Sequence, residues 1–369
     1  MYQSCHSSPE TRQIKKDSVK QEKVQVKSPI DSVWNAFAHY ISGMHYTGSD
    51  SCEQTEFWKL HAAKTDLRWR LLMQNVGNPI ENWVYEKKYL GGSGAPNTLI
   101  YPFAGGDFFY ANLFFPNRDT IIMIGLESVG SSFDNTQIPE SKMEDYLSTL
   151  DRCMFYPHKL GFFRTLSMDD DFAHEMMNGT LHTLLFYIVR SGFNIHYVTY
   201  FNLDSNGNFN DFTNKKINEN IGSRIGYSKS NDKTVRELVY ISRDISNAGN
   251  VKSPGTMAFL TRRGKAVSFM KAASYLMYKP YFSDITKIVL NQSQIILQDD
   301  SGMPLDSMRK AGFTSEVLGE YSRTIKLFSN YFQPSMFDEY ASKKPAKLPF
   351  TIGYNAEFGE CNLQLCVKK

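Results

Sequence analysis

Acidic residues stand directly after several apolar runs of this chain. Glu127 closes Thr120–Leu126 (TIIMIGL), Asp244 follows VYISR, and Asp299 and Asp300 follow QIILQ; Asp107 comes just after TLIYPFAGG. Carboxylates brought together raise one another's pKa, the property that general acid–base pairs and metal sites use. If these runs are parallel strands, the acids gather at the carboxyl edge of the sheet, where open α/β sheets hold their ligands. Asp107, Glu127, Asp299 and Asp300 are therefore the candidate catalytic residues. Gly105, Gly106, Asp244 and Ser301 are the candidate ligand contacts. Each acid taken alone also suits a turn or a helix cap, and Asp299-Asp300-Ser301-Gly302 is ordinary turn chemistry.

Other chemistries are weaker in this sequence. Gly105-Gly106-Asp107 puts free backbone amides at a helix start, a place that can bind an anion, although the Asp107 carboxylate competes for those donors. No GK[ST] follows, so this is not a P-loop. No G-x-S-x-G is present, and a base for Ser301 would have to be His158, His174, His182 or His196, since none follows His196. HEMMNGTLH is not HExxH, and the Asp204–Asn208 loop lacks the Gly and Glu of a calcium loop, so it reads as a hairpin turn. The five cysteines form no CxxC. No metal site is expected, and no cofactor is implied.

These residues need elements to carry them. Asp31 caps a helix with Val33, Trp34, Phe37, Tyr40 and Ile41 on its stripe, ending at Gly43. A second helix from Thr55 carries Phe57, Leu60, Ala63, Leu67 and Leu71 on one side. Asn75–Pro79 breaks it before a shorter helix through Ile80, Trp83 and Val84, and Gly91–Gly94 joins this block to a central stretch. There Thr98–Phe103 is a strand, Asp107 caps a helix over 108–115, and Thr120–Leu126 is a strand buried on both faces. Helices are expected at 139–150 and from Ser167 to about 190, with Asp169, Asp170 and Asp171 at the start of the latter and an interruption at Tyr156-Pro157. Strands follow at 194–203, 221–228 and 235–242. Ser253-Pro254 opens a short helix, and 266–277 and 282–290 show apolar residues at helical spacing. Gln294–Gln298 is a buried strand, followed by a helix at 325–341 and a closing strand pair, 350–354 and 362–367.

The bulk composition is that of a globular protein. Of 369 residues, 41 % are hydrophobic and 21 % charged, and 26 Phe and 21 Tyr imply an aromatic core. Residues 1–30 hold six basic side chains against three acids, which leaves the rest of the chain, at an overall net charge of +3, electrically balanced. A balanced body without a basic stripe argues against nucleic acid as a partner. Cys361 and Cys366, five apart in one strand, face opposite ways and do not pair with each other. No later run is long enough for a membrane helix.

Met1-Tyr-Gln-Ser-Cys5 has the small-residue–Cys pattern of a bacterial lipoprotein signal's end, followed by a solvated Ser/Lys/Gln/Glu stretch suited to a tether. The apolar h-region that normally precedes such a cysteine is missing from the sequence. The expectation is a lipid-modified Cys5, with 1–30 as tether. A membrane is then met only through that anchor.

The segments YPFAGGDFFYANLFFPN, IGLESVG and SFMKAASYLMYKPYFSDITKIVLNQSQIILQDDSGMP resemble those of a family of uncharacterised bacterial exported proteins, predicted lipoproteins. They cover about 60 of the 369 residues. The resemblance implies export to the periplasm or cell surface and transfers no catalytic residue. The expected fold is α+β: one domain over 31–369, with a helical block (31–94) and a core (95–369) built on a mixed β-sheet covered by helices. The expected function is an envelope-associated binding or structural protein; the alternative is a hydrolase-like enzyme using the carboxylates at the sheet edge.

Overall fold

Strand β2 (Thr120–Gly125) shows how the fold is built. Its side chains alternate between two apolar layers: Ile121 and Met123 enter one, Ile122 and Ile124 the other, and all four are buried. A strand covered on both faces needs no polar alternation, which is why TIIMIGL is continuously apolar. Each such side chain contributes roughly 1.5–3 kcal/mol by leaving water.

In this computed structural model the described residues are 29–47, 53, 55–87, 90, 94–131, 139–160, 177–212, 221–230, 232, 234–271, 273–324, 326–353 and 360–369. Cys5, the 1–28 part of the expected tether, Gly91–Ser93 and the segment 167–176, with Asp169–Asp171 and His174, lie outside them. No described helix is long and apolar enough to cross a membrane.

The described residues form a mixed α+β fold around a ten-stranded sheet of order β4-β3-β5-β6-β2-β1-β7-β8-β10-β9. Its centre is parallel: β6 (Arg236–Ser242), β2, β1 (Thr98–Pro102), β7 (Ala266–Met270) and β8 (Ser293–Gln298) all run the same way. Antiparallel strands extend both sides, β5 (Gly222–Lys229), β3 (Phe193–Leu203) and β4 (Phe209–Phe212) beyond β6, and β10 (Asn362–Lys368) and β9 (Phe313–Gly319) beyond β8.

One face packs against α1 (Ser32–Ile41), α2 (Glu56–Leu72), α3 (Asn78–Glu86), α4 (Phe108–Phe114), α5 (Glu140–Leu160) and α6 (Leu181–Arg190). The helical N-terminal block thus forms much of one covering layer. Of α7 (Asn247–Lys252), α8 (Gly255–Arg262), α9 (Ser283–Gln292), α10 (Leu305–Lys310) and α11 (Pro334–Lys343), all but α7 place apolar side chains in the core of the other face. Cys361 belongs to the first core and Cys366 to the second, both free, as their spacing requires. Asp31 caps α1 by accepting from the Val33 and Trp34 amides. Asp204 accepts from the Asn206 and Asn208 amides and closes the β3–β4 hairpin turn.

Several expectations are corrected. Segment 266–277 is a strand, β7, followed by a 3₁₀ turn (Ala273–Tyr278), not a helix. With both faces covered, its apolar residues carry no readable period. Helix α2 buries Trp58, Thr65 and Leu72, while Leu60, Leu67 and Leu71 lie on its exposed side. Asn75–Pro79 does not break the chain's helical path: a π-turn (Met73–Gly77) leads into α3, with Pro79 in the first turn where its missing N–H costs nothing. Helix α5 runs through Pro157 to Leu160, and the described part of the next segment becomes helical only at Leu181. The helix expected at 325–341 is a 3₁₀ turn (Lys326–Tyr331) and then α11, which starts at Pro334. Residues 350–353 are not a strand; β10 pairs with β8 and β9.

Candidate functional site at the carboxyl edge of the sheet

From β1 the chain moves through α4 to β2 on one side, whereas β7 later adds on the other side of β1. The gap between the carboxyl ends of β1 and β7 is therefore a topological switch point, the usual ligand position in an open parallel sheet. All five parallel strands deliver their carboxyl ends, and the acids behind them, to this edge. They do not bring the acids into one cluster. Asp244 follows β6 and Asp299 follows β8, four strand positions away, roughly 19 Å at ~4.8 Å per step. Two groups result.

The first group sits behind the switch point and is closed to water. Asp107 Oδ2 receives the Lys271 ammonium at 2.7 Å and the Tyr101 hydroxyl at 2.7 Å, while Oδ1 accepts the Tyr110 amide at 3.4 Å as the cap of α4. Lys271 Nζ also lies 3.7 Å from the centre of the Tyr110 ring, where the π face favours a cation. Asp107, Lys271, Tyr101, Asp299 and Asp300 are each no more than 2 % exposed. Burial pushes the Asp107 pKa up and the Lys271 pKa down, and each charge opposes the shift of the other. The Asp299 carboxylate acts on both Lys271 and Tyr101 and ties β8 into the group.

Asp299 Oδ1 accepts from the amide and hydroxyl of Ser301, so Ser301 is bound within its own turn rather than offered as a nucleophile. Gln298 brackets that turn through the Met303 backbone, at 2.7 and 3.0 Å. Asp300 receives the Tyr275 hydroxyl at 3.3 Å, and its pKa is pushed up to about 7 by burial and then by Asp299.

The second group is open. A cavity of about 90 Å³ at the ends of β1, β2 and β6 is lined by Glu127, Gly105, Arg243 and Asp244 among apolar walls that include Phe103 and Phe282. Glu127 is fixed from two sides. Tyr240 donates to its backbone oxygen at 2.8 Å and to Oε2 at 3.4 Å, and the following loop is pinned by the Thr180 and Leu181 amides on the Ser128 and Val129 carbonyls. Gly125 makes the room: a Cβ there would stand 2.5 Å from Glu127 Oε2 and 2.7 Å from the Tyr240 hydroxyl.

The Arg243 guanidinium has no hydrogen bond or ion pair among the described residues, and its Nε is buried. Asp244 is occupied, accepting the amide and hydroxyl of Ser246 at 2.8 and 2.9 Å. Phe103 stands at φ +60°, a costly conformation for an aromatic residue that concentrates at functional sites. Gly106, in contrast, gives its carbonyl to the Phe108 amide at 2.9 Å and belongs to the turn that starts α4.

Lys271, Arg243 and Tyr240 escaped the sequence reading. Lys271 sat inside a segment read as helical, although a lysine in SFMKAAS was itself a signal. Arg243 stands beside Asp244, and an arginine at a strand end carries no sequence signal of its own. Among the described residues no three His, Cys, Asp or Glu side chains come together to hold a metal ion. His182 is a core residue, between the Tyr146 hydroxyl at 3.0 Å and the Ser131 carbonyl at 2.7 Å. No protein-family model and no curated protein matches the chain.

Proposed function

We propose that the protein is a hydrolase-like enzyme that takes a small anionic group of its substrate at the carboxyl edge of the sheet. The observation that carries this reading is Glu127 and Arg243, whose guanidinium has no partner among the described residues, lining one cavity at the ends of parallel strands. About 90 Å³ is well below the ~300–1,000 Å³ of sites that enclose a whole small molecule, so the cavity takes the reacting end of a substrate. Arg243 binds the anionic group or developing negative charge, and Glu127, oriented by Tyr240, takes a proton from the attacking water. The buried Asp107–Lys271–Asp299 group holds the β1–α4, β7 and β8 ends behind the cavity.

The test uses p-nitrophenyl acetate and the anionic p-nitrophenyl hemisuccinate. The wild type should hydrolyse the anionic ester faster. Glu127→Gln should lower the rate of both by ~10²-fold or more, the scale of a lost general base. Arg243→Leu should remove the preference. Turnover absent, or indifferent to Glu127→Gln, would overturn the reading.

A second reading, a non-catalytic envelope protein held at the membrane by a lipid on Cys5, draws on the occupation of Asp107, Asp244, Asp299 and Ser301 by internal bonds. Mass spectrometry of the expressed protein decides the anchor: a diacylglyceryl mass on Cys5 supports it, and an unmodified Cys5 in the soluble fraction opposes it.

A further inference from the structure

A larger cavity, about 670 Å³, has none of Asp107, Glu127, Asp244, Asp299 and Asp300 in its lining. It lies between the α2–π-turn–α3 path and α4, beside the start of β3, and its lining includes Pro116 and Asn117, on the connection that enters β2 at its amino end. The volume falls within the ~300–1,000 Å³ of sites for small organic molecules. Its wall is mostly apolar and aromatic: Trp69 and Phe109 meet edge to face at 5.5 Å, and Phe193 and Val84 add to it.

Six of the fourteen lining residues are polar: Glu81, Asn112, Asn117, Arg190, Ser191 and Lys229. Arg190 and Lys229 line the cavity against one acid, Glu81. Arg190 is committed to the Ser42 carbonyl and Asp66, whereas Lys229 is exposed at the rim, its ammonium 5.6 Å from the Phe193 ring. The Asn112 side-chain amide has no hydrogen-bond partner among the described residues. With Arg190 paired to Asp66, Lys229 and Glu81 balance in charge, and the Lys229 ammonium beside the Phe193 ring and the idle Asn112 amide are the groups that can meet an anion at the edge of the apolar wall.

We propose that this cavity binds an aromatic or otherwise flat apolar molecule carrying a single anionic group, with the body among Trp69, Phe109 and Phe193 and the anion toward Lys229 and Asn112. The inference does not rest on catalysis at the carboxyl edge. Apolar area supplies the binding, and the amide and ammonium orient the ligand.

The probe is 1-anilinonaphthalene-8-sulfonate, a three-ring apolar anion too large for the 90 Å³ cavity, so failure here leaves the carboxyl-edge reading untouched. The native protein should bind one dye per chain with enhanced fluorescence, and its melting transition should stay cooperative and move to higher temperature as dye is added. Val84→Trp, which puts an indole into the space at the apolar wall, should weaken binding at least tenfold. Lys229→Glu should weaken the sulfonate several-fold and leave the uncharged N-phenyl-1-naphthylamine unaffected. Lys229 is exposed, so this variant reads out the site even where Val84→Trp fails to fold. Dye binding absent from the wild type, or equal in wild type and both folded variants, overturns the proposal; loss of both dyes in Lys229→Glu overturns the assigned role of the charge.

Discussion

Lys271 Nζ meets Asp107 Oδ2 at 2.7 Å across the switch point between β7 and β1, with neither side chain more than 2 % exposed. Taking two charges out of water costs several kcal/mol each, and only close pairing with further hydrogen bonds offsets it. Tyr101 supplies one such bond and the Tyr110 ring face supports the ammonium. The pair therefore holds together two strand ends that belong to distant parts of the chain.

Removing one partner should expose that cost. Lys271→Met leaves a buried carboxylate without its cation and should lose about 3–5 kcal/mol of stability in urea unfolding. Asp107→Asn combined with Lys271→Met should lose less than Lys271→Met alone, because no charge is then stranded. A Lys271→Met protein as stable as wild type would show that the pair is not ionised in the fold.

Asp300 should impose a pH slope on stability. Its folded pKa is raised to about 7 from 3.8, so the folded state keeps a proton that the unfolded chain releases at lower pH. Its favourable contribution is fully present below about pH 4, declines as pH rises, and is lost above about pH 7. At 1.36 kcal/mol per pKa unit the change is at most about 4 kcal/mol. Asp300→Asn should therefore match wild type near the acid end and exceed it at alkaline pH, measured by denaturant unfolding across that range. Parallel curves for the two proteins would refute the assignment.

Gly125→Ala should separate the open site from the scaffold. The added methyl collides with Glu127 Oε2, the end of a flexible side chain, and with the hydroxyl of the fully buried Tyr240 ring, and it stands 3.3 Å from the Gly105 backbone. Stability should fall by about 1–3 kcal/mol, the range for overpacking a filled site. Hydrolysis of the anionic ester should fall with it by at least tenfold as Glu127 is turned away. Unimpaired turnover in the folded variant would remove Glu127 from the reaction.

Arg243→Leu should be neutral in stability, within about 0.5 kcal/mol, because the guanidinium has no folded-state partner among the described residues to lose. Thermal unfolding with added succinate should distinguish the two proteins: wild type gains melting temperature with succinate and Arg243→Leu does not. A large loss of stability on substitution would mean that the arginine is structural.

Local chemistry was legible from residues alone. Asp31 and Asp107 announced their helices because a short acid before an apolar run satisfies free amides within the same few residues. TIIMIGL read as a doubly covered strand, and the position of acids after strands was visible once those strands were recognised. Cys366 in β10 and Cys361 just before it lie in different cores, as an odd spacing along extended chain implies.

What tertiary structure decided is everything that depends on strand order. Sequence could not separate a helix from a doubly buried strand at Ala266–Met270, because burial on both faces erases the period that distinguishes them. That strand enters the sheet beside β1, and only then does Lys271 stand against Asp107. The same order places β6 four positions from β8 and divides the expected carboxylate cluster into a sealed group around Lys271 and an open one around Glu127 and Arg243. Caps and strands follow from contacts a few residues apart, whereas the site depends on which strands are neighbours, and that is settled by packing the whole sheet at once.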